Sequence, residues 1–189
     1  MTDPESAALP RVYLPEDIIL RSAEFPADYR FLYRLLEERY AKPHSNIPGM
    51  AQQELPAFEE HVAYLESNPF DRIEIVVASG CNAGLMYLTS KRVGGCFVLD
   101  AFAGRGLALA ACYAFFTDET YPITAHFKSR NRAGYQTANR LGWTLVNEEE
   151  HRLTYELRQP PLDPFSQLRR RRTGNSGGTP AEADPRVVP

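Results

Sequence analysis

Apolar residues recur along the chain with two periods, and the switches between them mark out short elements. Ile18–Ala23 (IILRSA) reads as a strand. Asp28–Tyr40 reads as a helix, because Phe31, Leu32, Leu35 and Leu36 fall at helical spacing. Pro43, Pro48 and Gly49 break any period in AKPHSNIPGMAQQEL, which reads as a loop. A second helix starts at Pro56, with Glu59 and Glu60 in its first turns and an apolar stripe of Phe58, Val62 and Leu65; SNPFD ends it. Ile73–Ala78 is a β-branched strand, SGCNAG a turn, and Leu85–Thr89 its antiparallel partner. Gly94–Leu99 is the fourth strand, Ala108–Phe116 an Ala-rich helix, and Pro122–Phe127 the fifth strand. Arg132–Leu141 is again helical, and Trp143–Val146 with Arg152–Leu157 closes the pattern as a hairpin. The order β-α-α-β-β-β-α-β-α-β-β predicts a mixed α/β (α+β) sheet with helices on both faces.

The chain's 189 residues suit one domain, and 43% hydrophobic content with 11% aromatics is enough for a proper core. The composition changes near Gln159, after which prolines and glycines dominate, so residues 1–158 are expected to form the domain and 159–189 a largely disordered tail. Pro164, Phe165 and Leu168 are the tail residues best suited to dock on the domain. A formal charge of −3 gives no global attraction to nucleic acid or anionic lipid, although Arg169–Arg172 form a local basic run. Cys81, Cys96 and Cys112 sit among small and apolar residues and are expected to be reduced thiols, with no metal role. No stretch is apolar enough to span a bilayer, and the acidic, Pro-broken N-terminus is unlike a secretory signal, so the expected location is cytoplasmic.

The richest stretch is Val98-Leu99-Asp100-Ala101-Phe102-Ala103-Gly104-Arg105-Gly106-Leu107-Ala108, where a strand runs into a Gly-x-Gly turn and at once into a helix. Glycines let successive N–H groups point inward at a bulky anion, and the helix start adds amides and the positive end of its dipole. A Gly-x-Gly turn alone also serves ordinary strand–helix connections. A full dinucleotide fingerprint is excluded by Leu109, and a P-loop by the absence of Gly-Lys-Ser/Thr. One helix later comes Asn131…Leu141-Gly142-Trp143, which by itself reads as an Asn N-cap and a Gly C-terminal stop.

Together, Ala103-Gly104-Arg105-Gly106-Leu107-Ala108 and Asn131…Leu141-Gly142-Trp143 resemble the GNAT superfamily of acyl-CoA-dependent N-acetyltransferases. The front half, HSNIPGM…FEEHVAYLES-NPF…GLMYLTS, is similar to small single-domain members, with a layout like the enzymes that acetylate amines on nucleotide-linked sugars. The resemblance implies a twisted, mostly antiparallel sheet whose fourth and fifth strands splay apart, and acetyl-CoA as co-substrate without a metal. It implies diphosphate binding by the backbone of Ala103, Gly104, Arg105, Gly106, Leu107 and Ala108. It implies that the pantetheine arm runs along Phe97, Val98 and Leu99, and that Asn131 contacts the arm. Two positions depart from the superfamily. Ala103 stands where Gln or Arg is usual, and Ala138 where a proton-donating Tyr is usual, leaving Tyr135, one turn earlier, as the nearest substitute.

Acetyl transfer to an amine requires loss of a proton from an ammonium of pKa near ~10, a donor for the developing oxyanion, and in-line placement. His126, in PITAHF, is the first candidate base, with a structural histidine as the alternative reading. His61 borders the buried face of its helix and reads as packing; His44 could meet substrate. Tyr87 in LMYLT could reach the cleft or be an ordinary sheet aromatic. The expected acceptor is a primary amine on a small metabolite, amino-sugar or polyamine-like, the protein being a monomer or homodimer. One alternative is an amine on nucleic acid, such as an aminomethylated pyrimidine of hypermodified phage DNA, held through Arg169–Arg172. The other is a non-catalytic acyl-CoA-binding module.

Overall fold

A computed structural model describes residues 12–41 and 54–174. Strands β1 (Ile18–Ser22), β2 (Phe70–Ala78), β3 (Cys81–Thr89) and β4 (Gly94–Val98) form an antiparallel sheet in that order. Strands β5 (Ile123–Lys128), β6 (Thr144–Glu149) and β7 (Arg152–Leu157) form a second antiparallel sheet in the order β5-β7-β6. Helices α1 (Tyr29–Tyr40) and α2 (Phe58–Glu66) precede β2, α3 (Leu107–Phe116) joins β4 to β5, and α4 (Arg132–Arg140) joins β5 to β6. The mixed α/β class read from the sequence is observed, with the sheet divided in two.

The division lies between β4 and β5. They meet as parallel neighbours at their starts, where Val93 bridges Thr124 and the Thr124 amide donates to the Arg92 carbonyl at 2.9 Å. Beyond that bridge no ladder joins them, and the two strands diverge into a wedge. β4 pairs with β3 along its whole length, from Leu88↔Gly94 to Gly84↔Val98. Its other edge therefore faces the gap.

Side-chain alternation along the sheet sorts residues by face. Met86 and Leu88 are buried in the core together with α3, whose Leu107, Leu109, Ala110, Ala111, Phe115 and Phe116 are buried almost all round. Leu85, Tyr87 and Thr89 point the other way, toward α1 and α2. Helix α1 is tied to β1 by an ion pair in which the half-exposed Arg21 grips the buried Asp28 with two hydrogen bonds of 2.7 and 2.8 Å; the Glu24 amide also donates to Asp28 at 2.7 Å.

Two strand starts differ markedly from the sequence reading. β2 starts at Phe70 because Arg72, a polar residue at the strand's beginning, is neutralised by Glu74 and Glu119 at 2.9 and 2.8 Å. β3 starts at Cys81 because the hairpin turn is only Ser79-Gly80, both at positive φ, the conformation that matches strand twist. Residues 160–172, part of the segment expected to be largely disordered with Pro164, Phe165 and Leu168 best suited to dock, pack on the domain. Phe165 is 1% exposed and meets the Tyr113 ring edge-on, and helix α5 (Ser166–Gly174) follows. Arg169 pairs with Asp163 at 2.7 Å and Glu16 at 3.3 Å, and Arg172 with Asp17 at 2.9 Å. Asp163 is a local partner, whereas Glu16 and Asp17 lie at the other end of the chain. His44 and most of the Pro-rich loop lie outside the described residues.

Candidate functional site

Two arrangements flank the wedge, one built of backbone and one of side chains. After β4 the chain makes a 3-10 turn over Asp100–Phe102, pinned by the fully buried Phe102, and then passes through Ala103. Gly104 and Gly106 hold φ of +74° and +75°, a left-handed conformation that disfavours any side chain. A Cβ at Gly104 would meet nothing within 4 Å, so the backbone there is open to close approach.

Helix α3 begins at Leu107, and the Ala110 amide donates to the Gly106 carbonyl at 3.0 Å. The amides of Leu107, Ala108 and Leu109 thus precede the helical ladder and sit at the positive end of the dipole. The Arg105 carbonyl accepts from the Tyr13 amide at 2.9 Å. Because a trans peptide points its two polar groups opposite ways, the Gly106 N–H faces away from that N-terminal segment. Clustered amides at a helix start are a backbone arrangement that can donate hydrogen bonds to an anion.

Phe97, Val98 and Leu99 carry the chain along the wedge into this loop, Leu99 buried and its amide bonded to the Ala83 carbonyl at 2.9 Å. Asn131 opens α4 as a true N-cap, its Oδ1 accepting from the Gly134 amide at 3.0 Å. Gly142 at φ +82° follows the helix end. Both local readings of that segment therefore hold. Ala138 is buried in the core, and Tyr135 packs against the same core from α4.

On the α1/α2 face lies a cavity of about 740 Å³, within the range of small-molecule sites. Its floor is aromatic: the Tyr87 ring stacks on Phe97 at 6.0 Å and lies 5.1 Å from the Phe70 ring. Gly95 makes this possible, since a Cβ there would run into the Tyr87 ring. The Arg39 guanidinium stands 4.7 Å over Phe97, and Lys128, the last residue of β5, also lines the cavity. Burial, with a smaller push from Arg39, lowers the Lys128 pKa; burial raises that of Tyr87, against an opposing pull from Arg39.

The three candidate catalytic residues separate. Tyr87 lines the cavity. His126 is exposed on β5, its Nδ1 3.2 Å from Thr154 Oγ1, and does not line it. Burial lowers the His126 pKa, and Arg152 adds to the effect while Glu149 opposes it. Tyr135 does not line it either. His61, read from sequence as packing, does line the cavity. The sequence held a signal for Lys128, which lies two residues beyond His126 and so on the same strand face. Arg39, in the last turn of α1, carried none.

No protein-family model matches the chain, and no curated protein matches it by sequence. Solved structures do. RimL, a ribosomal L7/L12 alpha-N-protein acetyltransferase in complex with coenzyme A, superposes with a TM-score of 0.61 at 15% identity, over 76% of this chain and 95% of its own. An acetyltransferase from Thermus thermophilus superposes at 0.59 and 19% identity, over 80% of this chain and 99% of its own. FdhC, a nucleotide-linked sugar GNAT, superposes at 0.59 and 12% identity, over 80% and 91%. The chain has the GNAT fold that these acetyltransferases share.

Proposed function

We propose that the protein is an acyltransferase that moves an acetyl group from acetyl-CoA to a primary amine of a small metabolite, by direct attack of the amine on the thioester. One observation carries the reading: β4 and β5 part immediately after Val93–Thr124, and the parted strand leads into the Gly104–Gly106 loop at the start of α3. That combination offers an unpaired strand edge for an amide-bearing arm and an amide cluster for its diphosphate. Structures of this fold holding coenzyme A or acetyl-CoA support the same donor.

The donor's diphosphate rests on the Ala103–Ala108 backbone, and its pantetheine arm follows Phe97–Leu99 along the wedge. Asn131 contributes its Nδ2, since its Oδ1 is engaged in capping. A β4 amide facing the gap meets the carbonyl oxygen as charge develops there. The acceptor occupies the cavity over Tyr87 and Phe97. Ala138 supplies no proton donor, so the thiolate is protonated by the proton that the attacking nitrogen sheds.

The nucleic-acid reading has less support, because Arg169 and Arg172 are already engaged with Asp163, Glu16 and Asp17. Calorimetry with acetyl-CoA, followed by incubation with glucosamine or spermidine, tests the reading through free-thiol release and product mass. Tight binding of acetyl-CoA with no thiol release from either amine would overturn the enzyme in favour of a binding module.

A further inference from the structure

The cavity over Tyr87 takes lining from both strands of the wedge, Phe97 from β4 and Lys128 from β5. Two of its lining residues are cations from separate elements: Arg39 stands in the last turn of α1, and Lys128 ends β5. The Arg39 guanidinium lies 4.7 Å from the Phe97 ring centroid, and Phe97 stacks on Tyr87 at 6.0 Å. That contact ties the charge to the cavity floor and to β4. Lys128 is close enough to feel it, since burial and then Arg39 lower the Lys128 pKa.

Among the described residues the lining holds one carboxylate, Glu60. That group is turned to its own helix, where it accepts from the Ala57 amide at 3.0 Å in the first turn of α2. Residues 42–53, between α1 and α2 in the chain, contain Lys42 and His44 and neither Asp nor Glu. The charged lining is therefore positive on balance, although the whole chain carries −3. Apolar walls such as Phe70, Ile73 and Leu85 screen the two cations poorly, so each raises the energy of the other. An anion bound there relieves that cost and accepts charge-assisted hydrogen bonds from both.

We propose that the acceptor amine also carries an anionic group, a phosphate or a carboxylate, and that Arg39 and Lys128 bind that group, an inference that rests on the transferase reading above. Arg39 supplies a planar fork suited to either anion, and Lys128 supplies a point charge. Held by its anionic end, the acceptor keeps its nitrogen free for the thioester. A polyamine suits this cavity poorly, because its further ammonium groups meet like charge.

The test compares matched amines at saturating acetyl-CoA: glucosamine 6-phosphate against glucosamine, and β-alanine against β-alaninamide, with spermidine as the cationic case. Wild type should favour the anionic member of at least one pair by about 10-fold or more in kcat/KM, chiefly through KM, with spermidine poorest. The pair that shows the preference identifies the anion as phosphate or carboxylate. Lys128→Glu should cut the preference to about twofold or less and raise the relative rate on spermidine; Arg39→Gln should also cut it. A folding defect lowers both members of a pair together, so a preference that survives both substitutions overturns the assignment. A loss of acetyl-CoA affinity in Lys128→Glu as large as the loss of preference overturns it too, since the cations would then serve the donor. The wild-type comparison needs no variant: an active enzyme with less than about threefold preference in both pairs overturns the assignment alone. An enzyme that binds acetyl-CoA but releases thiol with none of these amines overturns the transferase reading and the assignment with it.

Discussion

The two sides of the wedge are made of different material. On the side proposed for the donor nearly everything is main chain, Asn131 excepted: two glycines at positive φ, the first amides of α3 and the edge of β4 that faces the gap. The cavity proposed for the acceptor is lined by side chains, gathered from α1, α2, β2, β3, β4 and β5. A backbone site depends on conformation and tolerates changes of residue type that keep it, as at Ala103. A side-chain site depends on which residues stand there, and can change specificity while the fold stays fixed.

This contrast can be broken from either side. Gly106→Glu should have the largest effect, because it forces a side chain into left-handed backbone and against Val12 and the Tyr13 carbonyl, distorting the loop. Acetyl-CoA affinity measured by calorimetry should fall by about 100-fold or more, ~2.8 kcal/mol. Retained affinity would refute the loop as the donor site.

Asp28→Asn comes next and strikes the support of the acceptor side, since Arg21 would lose its bidentate partner beneath α1. Stability should drop by about 2–3 kcal/mol in denaturant melts, discounted for the partial exposure of Arg21. The hydrogen bond from Arg21 holds the Asp28 carboxyl below the usual carboxylate range. Its contribution is therefore fully present above the unfolded-chain value of about 3.9 and lost as pH falls through the lower native one. Asp28→Asn should remove that part of the acid sensitivity while leaving donor affinity in the surviving folded protein near wild type.

Gly95→Ala sharpens the comparison, since it pushes the Tyr87 ring off β4. We expect destabilisation of about 1–3 kcal/mol from overpacking and a raised KM for the amine. Acetyl-CoA affinity should change less; equal losses on both sides would mean that the two halves are not separable.

The same contrast explains what could be read from the residues alone. The loop, its helix and the Asn131 cap are contiguous in sequence, and each local preference agrees with the fold, so patterning and turn chemistry located them. The hairpin at Ser79-Gly80 was blurred because Cys81 and Asn82 look like turn residues, yet the tight positive-φ turn lets pairing begin at once. Arg72 hid the start of β2, since its neutralisation by Glu119 comes from 47 residues away. The acceptor side was less legible still. His61 borders an apolar stripe whether or not it faces a cavity, and only the relative placement of six elements decides which. His126, the more conspicuous histidine in sequence, stands outside that lining.

Residues Val12 and Tyr13 are caught between the Gly loop and the last helix. The Tyr13 amide bonds the Arg105 carbonyl, while the Val12 carbonyl accepts from Arg172 at 3.2 Å. Any fraying of α5 therefore reaches the donor loop through two residues of intervening main chain. Saturation with acetyl-CoA should slow tryptic cleavage within Arg169–Arg172 by a few-fold. Linkage then requires that loosening of that helix weaken the donor complex by the same factor.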